Sequence, residues 1–273
     1  MERVLFYAAG LPVYLYGFMI AVGLFFSTML LLREGRRKGL GGHRMFDFAI
    51  GASASFLIGA RVFSGLQHYG LGMLARPWLV LTHQLGLHQT AGIACVILFG
   101  LLFAYYHNLL LSVFLDAVAP SMALLAAFAA LGSNVFGAET DLPWAVVFGN
   151  LQLHPLPLYM GLGYYTVFSL LWRARKHIRF DGQLALGLFV CMTWLHVLLI
   201  PVRQLEERDP ILFWGLLIAA VPTSVLWVKL YSEGRFAALY RRRSRGIFRL
   251  LTDVMVFIVV AFVMTTMFYL RVV

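Results

Sequence analysis

Residues Leu11–Leu32 read LPVYLYGFMIAVGLFFSTMLLL, an uncharged and mostly apolar run, with Arg33, Arg36, Arg37 and Lys38 immediately after it. A helix needs about 20 such residues to cross the hydrocarbon of a bilayer. The run lies too deep in the chain, and lacks the basic flank and small-residue cleavage site, to be a secretory signal. It predicts a retained membrane span. Comparable runs follow at Met45–Ser64, Gly92–Tyr106, Ser112–Phe136, Leu156–Trp172, Gln183–Val202, Ile211–Leu230 and Leu250–Leu270. The third is short, so its start is the boundary that the sequence fixes least. Composition agrees with this reading. The 273 residues are 61% hydrophobic and 12% charged, against about 25% charged in soluble domains. Too few polar groups exist to cover a water-facing surface, and disorder requires the opposite bias.

The net charge of +10 is a topology signal before it is a ligand signal. Basic residues resist translocation and gather in cytoplasmic loops. They follow the first span (Arg33, Arg36, Arg37, Lys38, Arg44), the fifth (Arg173, Arg175, Lys176, Arg179) and the seventh (Lys229, Arg235, Arg241, Arg242, Arg243, Arg245, Arg249). These are alternate loops on one side, which places both termini outside. The segment Arg241–Arg249 reads either as a solvated loop or as a surface for anionic lipid. Outside this set remain Arg3, Arg61, Arg76, Arg203, Arg208 and Arg271. No nucleic-acid partner is expected. Cys95 and Cys191 fall within different spans and read as small packing residues, not as a disulfide framework.

The remaining polar residues cluster toward the external face, and side chains of this kind beside a membrane are costly. Tyr16 lies in the outer half of the first span, and Arg61 ends the second. His83 and His88 precede the third. Ser133, Asn134, Glu139, Asn150, His154 and Tyr159 surround the connection between the fourth and fifth, while His196, Arg203, Gln204, Glu206 and Asp209 surround the end of the sixth. The cluster reads either as a functional site or as ordinary wet loops. Arg61 either snorkels to the interface or clamps a lipid phosphate with its guanidinium fork. His154, within Leu153-His154-Pro155-Leu156-Pro157, is a base, a phosphate donor or a loop cap. The histidines lack an H-x-x-x-H pair or a cysteine partner, so neither a metal nor another cofactor is expected. The serines lack a nucleophile elbow.

These landmarks, in this order, resemble the bacterial prolipoprotein diacylglyceryl transferase family, inner-membrane enzymes of lipoprotein biosynthesis. Leu15-Tyr16-Gly17-Phe18-Met19 is similar to the family's opening Trp-Tyr-Gly-Leu-Met. Ile58-Gly59-Ala60-Arg61 resembles its Gly-Gly-Arg or Gly-Ala-Arg, and His88-Gln89-Thr90 stands where the family has His-Gly-Gly. Asp116-Ala117-Val118-Ala119-Pro120 resembles its Asp-x-x-Ala-Pro. Gly132-Ser133-Asn134-Val135-Phe136-Gly137-Ala138-Glu139, followed by Pro143-Trp144-Ala145, resembles the signature Gly-Arg-x-Gly-Asn-Phe-x-Asn-Gly-Glu and its Pro-Trp-Ala sequel. His154-Pro155-Leu156-Pro157-Leu158-Tyr159 and Val202-Arg203-Gln204 are similar to His-Pro-x-Gln-Leu-Tyr-Glu and Phe-Arg-Gln. The likeness runs from Val4 to Leu230.

The departures fall on charge. Leu131 stands at the signature arginine, Gln89 and Thr90 at the paired glycines, and Met160 at a glutamate. His196 and Ile200 stand where an arginine and a glutamate are expected, and the eighth span exceeds the usual seven.

The resemblance implies an all-α, polytopic membrane helix bundle of seven to eight spans, with an external loop region between the fourth and fifth. It implies a single membrane domain over 1–273, made of a seven-helix core at 4–230, a basic cytoplasmic loop at 231–249 and an additional helix at 250–270. The implied reaction moves a diacylglyceryl group from phosphatidylglycerol to a prolipoprotein cysteine. Catalytic roles then go to His88, Tyr16 and His196. Arg61, Asn134, Glu139, His154, Tyr159 and Arg203 are assigned to substrate binding. The alternatives are a non-catalytic lipid- or lipoprotein-binding paralogue and, third, a transporter, for which the paired interrupted helices are missing.

Overall fold

The computed structural model describes residues 4–8, 11–70, 86–148, 151–203, 210–233 and 247–272. Each predicted apolar run contains a helix, although Leu11–Tyr14 of the first and residues 133–136 of the fourth lie outside it. In chain order the helices are α1 (Leu15–Arg37), α2 (Gly42–Tyr69), α3 (Gln89–Tyr106), α4 (Leu111–Gly132), α5 (Leu156–Ala174), α6 (Gln183–Leu199), α7 (Pro210–Glu233) and α8 (Ile247–Val272). A 3-10 turn at Ile200–Val202 continues α6. All except α5 contain a stretch long and apolar enough to cross a membrane. Large apolar side chains such as Phe25, Ile97, Val225 and Phe262 point outward. Apolar surface on that scale is met by lipid, not water. The chain is a polytopic helical membrane protein.

The exception is informative. α5 carries Tyr159, Tyr164, Tyr165, Thr166 and Ser169, yet Leu156, Pro157, Leu158, Gly161, Tyr164, Tyr165, Val167 and Leu171 are buried. A helix walled by other helices meets protein in place of lipid; Tyr164 finds its partner on another helix, His196, whereas the exposed Thr166 donates to Leu162 O of its own.

Two places expected to be helix or irregular loop are paired strands. The first apolar run begins at Leu11, but Leu11–Tyr14 forms β2, antiparallel to β1 (Val4–Ala8), and the helix starts only at Leu15. Pro12 supplies no N–H and holds Leu11 extended, which keeps a helix from running through Leu11. The connection between α4 and α5 contains β3 (Val146–Phe148) and β4 (Leu151–Leu153), paired antiparallel. Valine, phenylalanine and alternating Leu-Gln-Leu suit a half-covered strand pair.

The chain divides into two compact units, Leu31–Phe114 and Met1–Leu30 with Leu115–Val273. In the first, α2 and α3 run antiparallel at close range, because a side chain at Gly59 would collide with Cys95 and one at Gly92 with Phe56. Small residues let membrane helices approach in this way. Phe48 gathers Phe99, Phe103 and Phe114 into an aromatic core.

In the second unit, Ala119 and Ala123 of α4 pack against Val167 and Leu171 of α5 and Leu184 of α6. There the lone charged residue of α4, Asp116, is fully buried. Its Oδ2 accepts from Gly182 N–H (3.1 Å), and its Oδ1 from Leu184 N–H (2.8 Å) and Ala185 N–H (3.0 Å). Gly182, the N-cap of α6, has φ of 93° and no side chain to serve as a cap. Asp116 therefore caps α6 from another helix, where the orphan N–H groups and the helix dipole both favour an anion.

Candidate functional site

The nine residues singled out from the sequence are all described, and they divide between the units. Arg61 and His88 belong to the first. His88 N–H donates to Ala60 O (3.2 Å), which ties the start of α3 to the last turns of α2 beside Arg61. The His88 ring lies 4.6 Å from that of Phe63. His88 is the N-cap of α3, and its Nδ1 accepts from Ala91 N–H (3.3 Å) with the Thr90 hydroxyl 2.9 Å away. Accepting that N–H leaves Nδ1 without a proton, so the neutral ring carries its hydrogen on Nε2. The capping role is thus real, and it frees Nε2–H as a donor.

Tyr16, Asn134, Glu139, His154, Tyr159, His196 and Arg203 belong to the second unit. α4 ends at Gly132, where Ser133 N–H (3.1 Å) and Oγ–H (2.9 Å) both donate to Ala130 O. An added Cβ at Gly132 would lie 3.2 Å from Tyr16 Cα, so the start of α1 rests on the end of α4 just before Asn134. Three distant segments then join through peptide groups. Gly137 N–H donates to His154 O, His154 N–H to Ala138 O, and Ala138 N–H to Val202 O, each at 2.9 Å. Thr140 N–H donates to Gln152 O (2.9 Å), and Glu139 bridges Leu153. Only glycine fits at 137, since a Cβ there would meet Val202 O and lie 2.9 Å from His154 Cβ. The network brings Glu139, His154 and Arg203 to one rim. Glu139 is exposed. His154 Nδ1 is buried and has no hydrogen-bond partner among the described residues.

Two further contacts involve residues that sequence reasoning passed over. Trp144 Nε1–H donates to Tyr159 Oη (2.8 Å), which leaves the Tyr159 hydroxyl proton available to a ligand. The Tyr159 ring lies 6.1 Å from that of His154. His196 Nδ1 lies 2.8 Å from Met192 O, an acceptor only, so Nδ1 carries the proton and Nε2 accepts from the Tyr164 hydroxyl (3.2 Å). Arg203 acts electrostatically on that same hydroxyl. His196 and Tyr164 thereby link α6 and α5. Trp144 was signalled by its place in the Pro-Trp-Ala motif, and Tyr164 by its recurrence on the polar helix α5. Leu131, at the signature-arginine position, packs with Ala127, Tyr164 and Leu158 in apolar clusters. His83, Asn150, Gln204, Glu206, Arg208, Asp209, Arg3, Arg76 and the basic residues Arg235 to Arg245 lie outside the described residues.

The comparisons with known proteins meet this geometry. The family model described as prolipoprotein diacylglyceryl transferase matches residues 3–228. The phosphatidylglycerol–prolipoprotein diacylglyceryl transferase of Clostridioides difficile is 26% identical over 187 residues, covering 67% of this chain and 75% of that protein. The enzyme of the same name from Chromohalobacter salexigens is 30% identical over 190 residues, covering 66% and 70%. That from Bordetella bronchiseptica is 29% identical over 256 residues, covering 86% and 92%. The match embraces every segment of the rim, and the chain belongs to the prolipoprotein diacylglyceryl transferase family.

Proposed function

We propose that the chain transfers a diacylglyceryl group from phosphatidylglycerol to the cysteine thiol of a prolipoprotein, in a bacterial cytoplasmic membrane. The observation that carries this reading is the peptide network joining Gly137–Glu139, His154 and Val202–Arg203, three motifs far apart in sequence. Such assembly is expected of a family site and is unnecessary for unrelated loops. In the reaction, sulfur attacks a glyceryl carbon. A C–S bond forms as the C–O bond to phosphate breaks, and the electron pair leaves on glycerol phosphate. The thiol, whose ordinary pKa is about 8.5, gives its proton to water as the thiolate forms, and the released phosphate can take a proton up in turn.

The leaving phosphate needs donors and positive charge aimed at it. The family resemblance assigns that charge to Arg61 and Arg203, and a guanidinium fork suits a phosphate. His88 suits this task better than that of base, since its Nδ1 lone pair is committed to the helix cap and Nε2–H is the donor. Tyr159, already accepting from Trp144, donates its own hydroxyl proton. Asn134, Glu139, His154 and Tyr16 orient the headgroup, and His196 serves by holding Tyr164. The distribution of Lys and Arg supports both termini facing outward.

Expression of the full chain in a bacterium depleted of its own diacylglyceryl transferase tests the reading. Restored growth and lipidated prolipoprotein are expected, and loss of both with Arg61→Ala or Arg203→Ala. Unmodified prolipoprotein despite normal accumulation of the chain would contradict it.

A second reading, a non-catalytic lipid- or lipoprotein-binding paralogue, has its own observation. Leu131 and His196 occupy two arginine positions, the one packed among apolar side chains and the other hydrogen-bonded to Tyr164.

A further inference from the structure

α8 lies beyond the residues that match the family, yet it is not a bystander. Its outward positions, among them Met255, Ile258, Val259, Phe262 and Met267, are exposed in the manner of a lipid-facing helix. One stripe is different. Phe257, Val260, Met264 and Phe268, spaced three, four and four residues apart, all pack on the protein. Phe257 stacks on Tyr165 with centroids 5.3 Å apart. Phe268, only 2% exposed, sits against Val146 of β3 and Leu158 of α5. Beside it, the Tyr269 hydroxyl donates to Trp144 O (2.7 Å).

These contacts link three residues in series through the backbone and the side chain of Trp144. Tyr269 Oη–H donates to the Trp144 carbonyl, Trp144 Nε1–H donates to Tyr159 Oη, and the Tyr159 proton remains to be given to a ligand. Trp144 is half exposed and sits in a turn. Its side chain reaches Tyr159 from a backbone whose carbonyl accepts from Tyr269. We propose that the end of α8 is part of the substrate site, with Tyr269 acting as a positioning residue that fixes Trp144 and, through it, the Tyr159 hydroxyl toward the phosphatidylglycerol headgroup. The proposal rests on the transfer reading given above. It adds a wall and a hydrogen-bond anchor from outside the family-matched core.

The test uses the purified full chain, labelled with 5-fluorotryptophan, in phosphatidylglycerol vesicles with a lipobox peptide. The six tryptophans give a fluorine spectrum in which Trp144→Phe identifies the Trp144 resonance. Tyr269→Phe is expected to shift that resonance and to raise KM for phosphatidylglycerol about three- to tenfold, the effect of one net hydrogen bond, with kcat nearly unchanged. In a Tyr159→Phe background the same substitution is expected to change KM no further, because coupled residues are not additive. An unmoved Trp144 resonance would overturn the proposal, and so would an equal KM change in both backgrounds. Failure of the transfer reading looks different. Wild-type protein would then make no thioether, while Tyr269→Phe and added phosphatidylglycerol each still shift Trp144; that result overturns transfer and supports the α8 contact.

Discussion

The two ends of α4 handle polarity in opposite ways. At the start, Asp116 is wholly buried and both carboxylate oxygens accept backbone N–H groups of the α6 N-terminus. Beyond the other end, Gly137, Ala138, His154 and Val202 satisfy one another through peptide groups. The side chains of Glu139 and His154 therefore carry none of that framework. A polar residue in a membrane protein is costly wherever it lies. The comparison separates two uses of that cost, since Asp116 completes a helix whereas the rim carries the proposed site residues on a backbone that needs no help from them.

The largest effect is expected where the side chain is the framework. Asp116→Ala strands three N–H groups that had an anionic acceptor, and should lower stability by about 3 kcal/mol or more. Thermal unfolding in detergent would show it, with Asp116→Asn recovering part. An unchanged midpoint would mean that the clasp is ornamental and erase the contrast.

His88 sharpens the comparison, because its ring caps α3 and is also the proposed phosphate donor. His88→Asn keeps an N-cap acceptor but removes the Nε2–H donor. Transfer should fall about a hundredfold, the usual order for a lost oxyanion donor, while the unfolding midpoint stays put. His88→Ala should lose both. If the asparagine variant retained full activity, His88 would be a cap alone.

Gly137→Ala attacks the rim's framework instead of its side chains. The added methyl meets Val202 O and His154 Cβ, and should destabilise by about 2 kcal/mol while moving His154 and Arg203 apart. The drop in transfer should therefore exceed what the lost stability explains. Normal transfer in a folded variant would show that the network does not position the site.

The smallest effect is expected at Tyr164→Phe, which removes one hydrogen bond to His196 and should cost about 1 kcal/mol in unfolding. A loss of transfer far beyond that cost would promote the pair from packing to chemistry.

Much of this was legible in the sequence, for identifiable reasons. Apolar runs long enough to span a membrane have few alternatives, so all eight helices were foreseeable. Asp116 stood out as the only charge between Leu111 and Gly132, although nothing local reveals that its partner lies more than sixty residues ahead. Leu11–Tyr14 misled because apolarity does not distinguish a strand from the start of a span, and Pro12 was the overlooked sign. The peptide network at the rim was invisible, since backbone hydrogen bonds leave no mark on residue choice except at Gly137. The stripe Phe257, Val260, Met264 and Phe268 follows helical spacing, but every residue from Val254 to Met264 is apolar, so the packed face cannot be told from the lipid face.

The central claim is that this rim and its donors transfer a diacylglyceryl group despite Leu131, Met160, His196 and Ile200 at four charged positions of the family pattern. Purified full chain, phosphatidylglycerol vesicles and a lipobox peptide test it directly, with the peptide read by mass. The account predicts a peptide heavier by one diacylglyceryl group in thioether linkage, with glycerol phosphate released in equal amount. Tight phosphatidylglycerol binding with no change in peptide mass would contradict it and identify a binding paralogue on the same helices.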